Sequence, residues 1–420
     1  MIANVTTPLL GVVATAAIGR LGDAALLGGV AMASLIFDCM FWLFGFLRMG
    51  TVALTAQALG AHDDNEQRAV LARALMTAAA IGLALIALQV PLAIAIFSLM
   101  GGSDAVTDAA RHYFVVRMWS APFALGNYVM LGWLVGLARP MLALAVQIAI
   151  NLLNMAVTIL LVLMLDWGVT GAALAAVIAE SSGLVLGLAV AWRVLGGHIR
   201  LKRAAIFDRA RLTRMLAINR DIMIRTAALI AAFLFFTAQG ARTGDVTLAA
   251  NAVLHNFTLV GAFFLDGLAN AAEQLCGRAY GARNRDAFRR AVKLIVFWGY
   301  VFGAGASLLF FIAGRPAIDL MTASNDVRNI AYSYMWLAAL APVCGVMAFA
   351  FDGVYIGATW VRDMRNLMVA SFLIYLAVWG ITLPLGNTGL WIAILCFFLA
   401  RGGLQAARYP ALVKLPFEAH

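Results

Sequence analysis

Asp38, Arg48, Glu180, Arg225, Asp266, Glu273, Asp352 and Arg401 all sit inside long apolar runs. A charge at the centre of a hydrocarbon layer costs about 2.5–3.5 kcal/mol or more, so such a group faces a cavity, pairs with a partner or carries an ion. The acids are the ones that can take up a proton or a metal cation. Asp266 and Glu273 stand two helical turns apart on nearly one face, which makes them a candidate ion-coupling pair. Glu273 also lies five positions before Arg278, and an ion pair there is the competing reading. Asp38 has no basic residue within one turn and is a candidate proton carrier, or simply a hydrated cavity-facing acid. Asp352 precedes Gly353 and could anchor a helix weakened by Gly353 and Gly357. Arg48, Glu180, Arg225 and Arg401 read as structural ion pairs between helices, with partners that sequence does not identify.

Uncharged groups add a second set. Asn151 and Asn154 could hydrogen-bond substrate or water, or act between helices as glue worth about 0.6–2 kcal/mol. Met32, Met40 and Trp42, with Met49, Phe41 and Phe44 nearby, could line an adaptable cavity for apolar cations, because thioether and ring surfaces repack around different ligands. Packing against core or lipid is the plainer role for each. Cys39, Cys276, Cys344 and Cys396 show no C-x-x-C or Cys/His spacing, so neither a metal site nor a disulfide framework is expected. No H-E-x-x-H, G-x-S-x-G or phosphate-cradling glycine loop occurs, so an enzyme is not expected either.

The elements that must hold these residues are membrane helices. Hydrophobic residues make up 64% of the 420 positions and charged residues 12%, about half the charged share of soluble domains. Apolar runs of about 20 residues recur, each enough to cross a bilayer. Spans are expected at 2–19, 27–50, 72–100, 112–137, 141–165 and 169–193, and again at 221–240, 247–273, 290–313, 329–357, 366–385 and 388–409. The net charge of +10 resides mainly in connections, which argues for membrane orientation rather than nucleic-acid binding. Arg200, Lys202, Arg203, Arg209, Arg211, Arg214 and Arg220 crowd the connection from His198 to Arg220. The positive-inside rule places this linker, and with it both termini, in the cytoplasm.

The two halves repeat. Gly19-Arg20-Leu21-Gly22-Asp23 resembles Ala241-Arg242-Thr243-Gly244-Asp245, and Ala58-Leu59-Gly60-Ala61 resembles Ala279-Tyr280-Gly281-Ala282. Gly132 and Gly136 match Gly353 and Gly357, and Thr170-Gly171 matches Thr388-Gly389, all at a near-constant offset. An even number of spans per repeat gives both the same orientation. The expected architecture is all-α, with twelve transmembrane helices in two six-helix lobes related by a pseudo-two-fold axis along the membrane normal. The N-lobe covers 1–197, the basic linker 198–220 and the C-lobe 221–420.

Six ordered stretches carry a family resemblance. They are Thr7-Pro8-Leu9-Leu10-Gly11, Phe46-Leu47-Arg48-Met49-Gly50, Ala56-Gln57-Ala58-Leu59-Gly60-Ala61, Gly168-Val169-Thr170-Gly171-Ala172-Ala173-Leu174-Ala175, Asn219-Arg220-Asp221-Ile222-Met223 and Asp352-Gly353-Val354-Tyr355-Ile356-Gly357-Ala358-Thr359. Together they resemble the DinF-like branch of the multidrug and toxic compound extrusion (MATE) family. The resemblance implies a monomeric inner-membrane antiporter that needs no cofactor. It would export organic, often cationic compounds by alternating access, in exchange for protons or, as the second choice, sodium. It also implies further residues ahead of Met1, and it aligns Asp352, Asp266 and Glu273 with acids of related chains, which makes them ion-coupling candidates.

The chain departs from the pattern in the N-lobe. Ala14 stands where relatives carry a first-helix acid, Thr158 where they carry a fifth-helix Asp, and Ala176 where they carry a Thr. None of these can supply a carboxyl, so the family's N-lobe proton role is not transferred. Two alternatives follow: a coupling-deficient member, or a lipid-linked sugar flippase of the same superfamily, whose cavity should be strongly basic.

Overall fold

The computed structural model describes residues 24–100, 103–197 and 203–414. The expected first span at 2–19, and Ala14 with it, lies outside them. Fifteen α-helices make up nearly all the described residues: α1 Ala24–Leu43, α2 Phe46–Gly60, α3 Asp64–Ala87, α4 Gln89–Leu99, α5 Asp104–Met118, α6 Ala121–Gly136, α7 Pro140–Thr158, α8 Gly168–Val194, α9 Arg203–Ile206, α10 Arg209–Arg242, α11 Asp245–Gly281, α12 Arg285–Met321, α13 Asn325–Gly357, α14 Val361–Thr382 and α15 Asn387–Lys414. In a bilayer every backbone polar group must be satisfied internally, and helices achieve this segment by segment.

Among the described residues, ten helical segments are long and apolar enough to cross a membrane. Their outer faces remain apolar: Leu320 is 90% exposed and Ile381 79%, surfaces that suit lipid rather than water. Three of the expected continuous spans are broken. The 27–50 run is interrupted at Phe44–Gly45 between α1 and α2, the 72–100 run at Leu88, and the 112–137 run at Trp119–Ser120, just ahead of Pro122 in the first turn of α6. Proline has no N–H to donate there and favours a helix start. Hydropathy sums across such breaks and does not register them. After Thr158, α7 widens into a π-helical turn, Ile159–Met164.

The chain divides into two compact units, one of residues 1–55 and 63–215, the other of 56–62 and 216–420. Local structure repeats between the two halves of the sequence. The Asp63 and Asn284 side chains cap α3 and α12, each accepting from a backbone N–H at 2.9 Å, and Ser103 and Ser324 cap α5 and α13. Capping oxygens answer the orphan amides of a helix start. His62 and Arg283 share left-handed φ values of 54° and 53°, and Ala138 and Thr359 share 58°. Repeat-related positions therefore end and restart helices in the same way, although most of their residue types differ.

Candidate functional site

The second unit holds a buried polar cluster. Asp352 occupies the last turns of α13, where Gly353 and Gly357 let that helix approach α11 closely. A Cβ on Gly353 would lie 2.8 Å from the Ala272 Cβ, and one on Gly357 would lie 2.6 Å from the Glu273 carbonyl oxygen. Side chains at either position would hold the helices apart. The Asp352 Oδ2 accepts from Arg225 on α10 and from Arg401 on α15, while its Oδ1 accepts from Gln405 Nε2 at 2.8 Å. Asp352 is 3% exposed, Arg401 1% and Gln405 1%. Arg401 also lies over the Phe349 and Phe397 rings, at 5.7 and 5.6 Å from their centroids, and the Gln405 carbonyl oxygen accepts from Tyr355 Oη at 2.8 Å.

Two more acids belong to this region. Glu273 is buried on α11 and Asp266, two turns earlier, is exposed. The charges of both act on Arg225, and that of Asp266 acts also on Arg401. Three carboxyls thus accompany two guanidinium groups. With every group ionised the cluster carries one net negative charge, and one bound proton makes it neutral, the state that low-dielectric surroundings favour.

The first unit holds a different cluster. Arg117 on α5 donates through Nη1 to Tyr113 Oη at 2.7 Å and lies 5.1 Å from the Phe37 ring centroid. Its charge reaches both Asp38, exposed on α1, and Glu180, half-buried on α8. The buried Asn127 of α6 donates through Nδ2 to the Glu180 Oε2 at 2.6 Å and to its carbonyl oxygen at 2.9 Å.

Sequence reading placed Asp352, Arg225 and Arg401 on separate spans and left the arginines without partners; the fold joins all three. Asn151, Asn154 and Thr158 share a buried face of α7, with Gln147 Nε2 donating to Asn151 Oδ1 at 3.0 Å and Thr158 Oγ1 to Asn154 Oδ1 at 3.1 Å. Thr158 is thereby held by hydrogen bonding along one helix. Ala176 is buried on α8. Met32 and Met40 are half-buried on α1, Trp42 is exposed on it, and Arg48 is half-buried on α2. Sequence reading missed Gln405, Asn127 and Arg117. Gln405 follows Arg401 by one helical turn, a usable signal. Arg117 stood within the expected 112–137 span and could have been counted among the intramembrane charges.

Comparison with known proteins agrees with this picture. The MatE family model matches residues 1–160 and 222–379. DNA damage-inducible protein F of Escherichia coli K12 is 38% identical over 414 residues, covering 96% of this chain and 88% of that protein. The probable multidrug resistance protein NorM of Caulobacter vibrioides is 28% identical over 420 residues, covering 91% and 85%. A crystal structure of MATE in the bent conformation superimposes with a TM-score of 0.90 at 19% identity, covering all of this chain and 94% of that one. This is a multi-pass helical membrane protein with the twelve-helix, two-lobe fold of those structures, and the chain belongs to the MATE family, beside its DinF-like members.

Proposed function

We propose that this chain is a secondary-active antiporter of the cytoplasmic membrane that exports organic cationic or amphipathic compounds in exchange for protons, with coupling located in the second unit. The observation that carries this reading is the set of three carboxyls, Asp266, Glu273 and Asp352, around two guanidinium groups. Asp352, held between Arg225 and Arg401, supplies fixed counter-charge. Asp266, exposed on α11, is the member that takes up and releases the proton. Binding an organic cation near the ionised cluster and binding a proton to it are then alternatives, which is the requirement for exchange. Pairing of both arginines with one carboxylate leaves little free positive charge in this cluster, which disfavours a pyrophosphate-bearing lipid as cargo. Relatives named as multidrug resistance and multidrug export proteins support the substrate class.

Ethidium efflux from everted vesicles, with proton and sodium gradients imposed separately, tests the reading. Efflux should follow the proton gradient alone. Movement driven only by sodium would replace the ion, and movement indifferent to both would identify a coupling-deficient member.

A further inference from the structure

Ala14 and Thr158 leave the family's N-lobe position without a carboxyl, yet the first unit contains an acid and amide pair elsewhere. Asn127 is 3% exposed. Its Nδ2 serves the Glu180 carboxylate at 2.6 Å, and its Oδ1 accepts no hydrogen bond among the described residues. A buried amide oxygen without a donor costs about 1–3 kcal/mol, so a group that can sometimes donate to it is favoured. The neighbouring carboxyl is such a group once it carries a proton.

We propose that Glu180 is the proton-binding acid of the first unit, with Asn127 as the residue that pairs with it in both protonation states. When Glu180 is ionised, Asn127 Nδ2 donates to it. When a proton from the aqueous phase forms an O–H bond on the carboxyl, a half-turn of the amide about its last torsion presents Oδ1 as the acceptor. No electrons move, and the same proton returns to water when Glu180 ionises again.

The surroundings supply the bias. α8 packs against α5, α6 and α7. Arg117 on α5 feels the charge of both Glu180 and Asp38 of α1. Tyr113 holds Arg117, His112 on α5 bonds Thr170 Oγ1 at 2.7 Å near the start of α8, and Tyr128 on α6 lies within the influence of Glu180, Asp38 and Arg48. α7 contributes no charged or titratable side chain. One guanidinium faces two carboxyls around Arg117, so a proton on Glu180 leaves Arg117 balanced by Asp38 alone. Part of the Glu180 residue surface remains open.

This inference deepens the antiport reading and rests on it for its purpose, but its test does not. Infrared difference spectra between low and high pH are recorded on the whole purified chain in lipid. The protonated-carboxyl band of the parent should lose intensity in Glu180→Gln, return at a displaced frequency in Glu180→Asp, and narrow or shift in Asn127→Ala, while the part of the band assigned to Glu180 persists in Asp266→Asn. Spectra of Glu180→Gln that superimpose on the parent's would overturn the assignment. Should Glu180→Gln fail to accumulate, an unshifted band in Glu180→Asp overturns it equally. Vesicles that pump on a proton gradient while Glu180→Gln leaves the band intact refute this inference alone. Vesicles indifferent to the gradient while Glu180→Gln removes intensity refute the antiport reading and leave the proton on Glu180.

Discussion

Asp352 is the residue on which the second unit's cluster depends, and its partners differ in what they contribute. Arg401 is charged, almost wholly buried and stacked against two rings. Removing it leaves Asp352 with a single guanidinium and opens a void. Arg401→Ala should therefore destabilise the protein by about 3–5 kcal/mol, the cost of breaking a buried ion pair. Gln405→Leu loses one hydrogen bond at similar volume and should cost about 1–2 kcal/mol. Thermal unfolding in detergent, followed by tryptophan fluorescence, orders the two. Equal losses would mean that the ion pair adds nothing beyond a neutral contact. Arg401→Lys should recover only part, because an ammonium cannot reproduce the planar guanidinium between carboxylate and rings.

At the scale of elements, the most constrained place is where α2 ends beside α11. Residues 56–62 belong to the second unit although α2 begins in the first. A Cβ on Gly60 would lie 2.9 Å from the Ala282 nitrogen, and one on Gly281 would lie 2.7 Å from the Gln57 carbonyl carbon. Gln57 Nε2 bonds the Gly357 carbonyl oxygen at 2.8 Å beside this contact. Overpacking costs typically about 1–3 kcal/mol, so Gly60→Val and Gly281→Val should each lower stability by that amount. Both open the same contact, so the double variant should cost clearly less than the sum. Strict additivity in a melting series would contradict the shared contact. The repeat of Ala58-Leu59-Gly60-Ala61 in Ala279-Tyr280-Gly281-Ala282 was legible because small residues and turn signals are local. That the two copies meet was not, since it is a long-range packing fact. The breaks at Gly45, Leu88 and Ser120 were hidden for a related reason: the apolar pattern continues through them. Likewise the intramembrane charges announced themselves by cost, whereas the pairing of Arg225 and Arg401 with Asp352 required three helices to be placed together.

For the whole molecule, exchange across a membrane requires an orientation and a direction of ion flow. The basic linker sets the first, and a cysteine at Asp104 should react with an impermeant thiol reagent added outside intact cells while one at Asp208 should not; the reverse pattern would invert the topology. The second is decided at Asp266. Proton-driven ethidium efflux in everted vesicles should be abolished by Asp266→Asn, with membrane insertion retained. Asp266→Asn vesicles that pump at the parental rate on the same proton gradient would contradict coupling through the second unit.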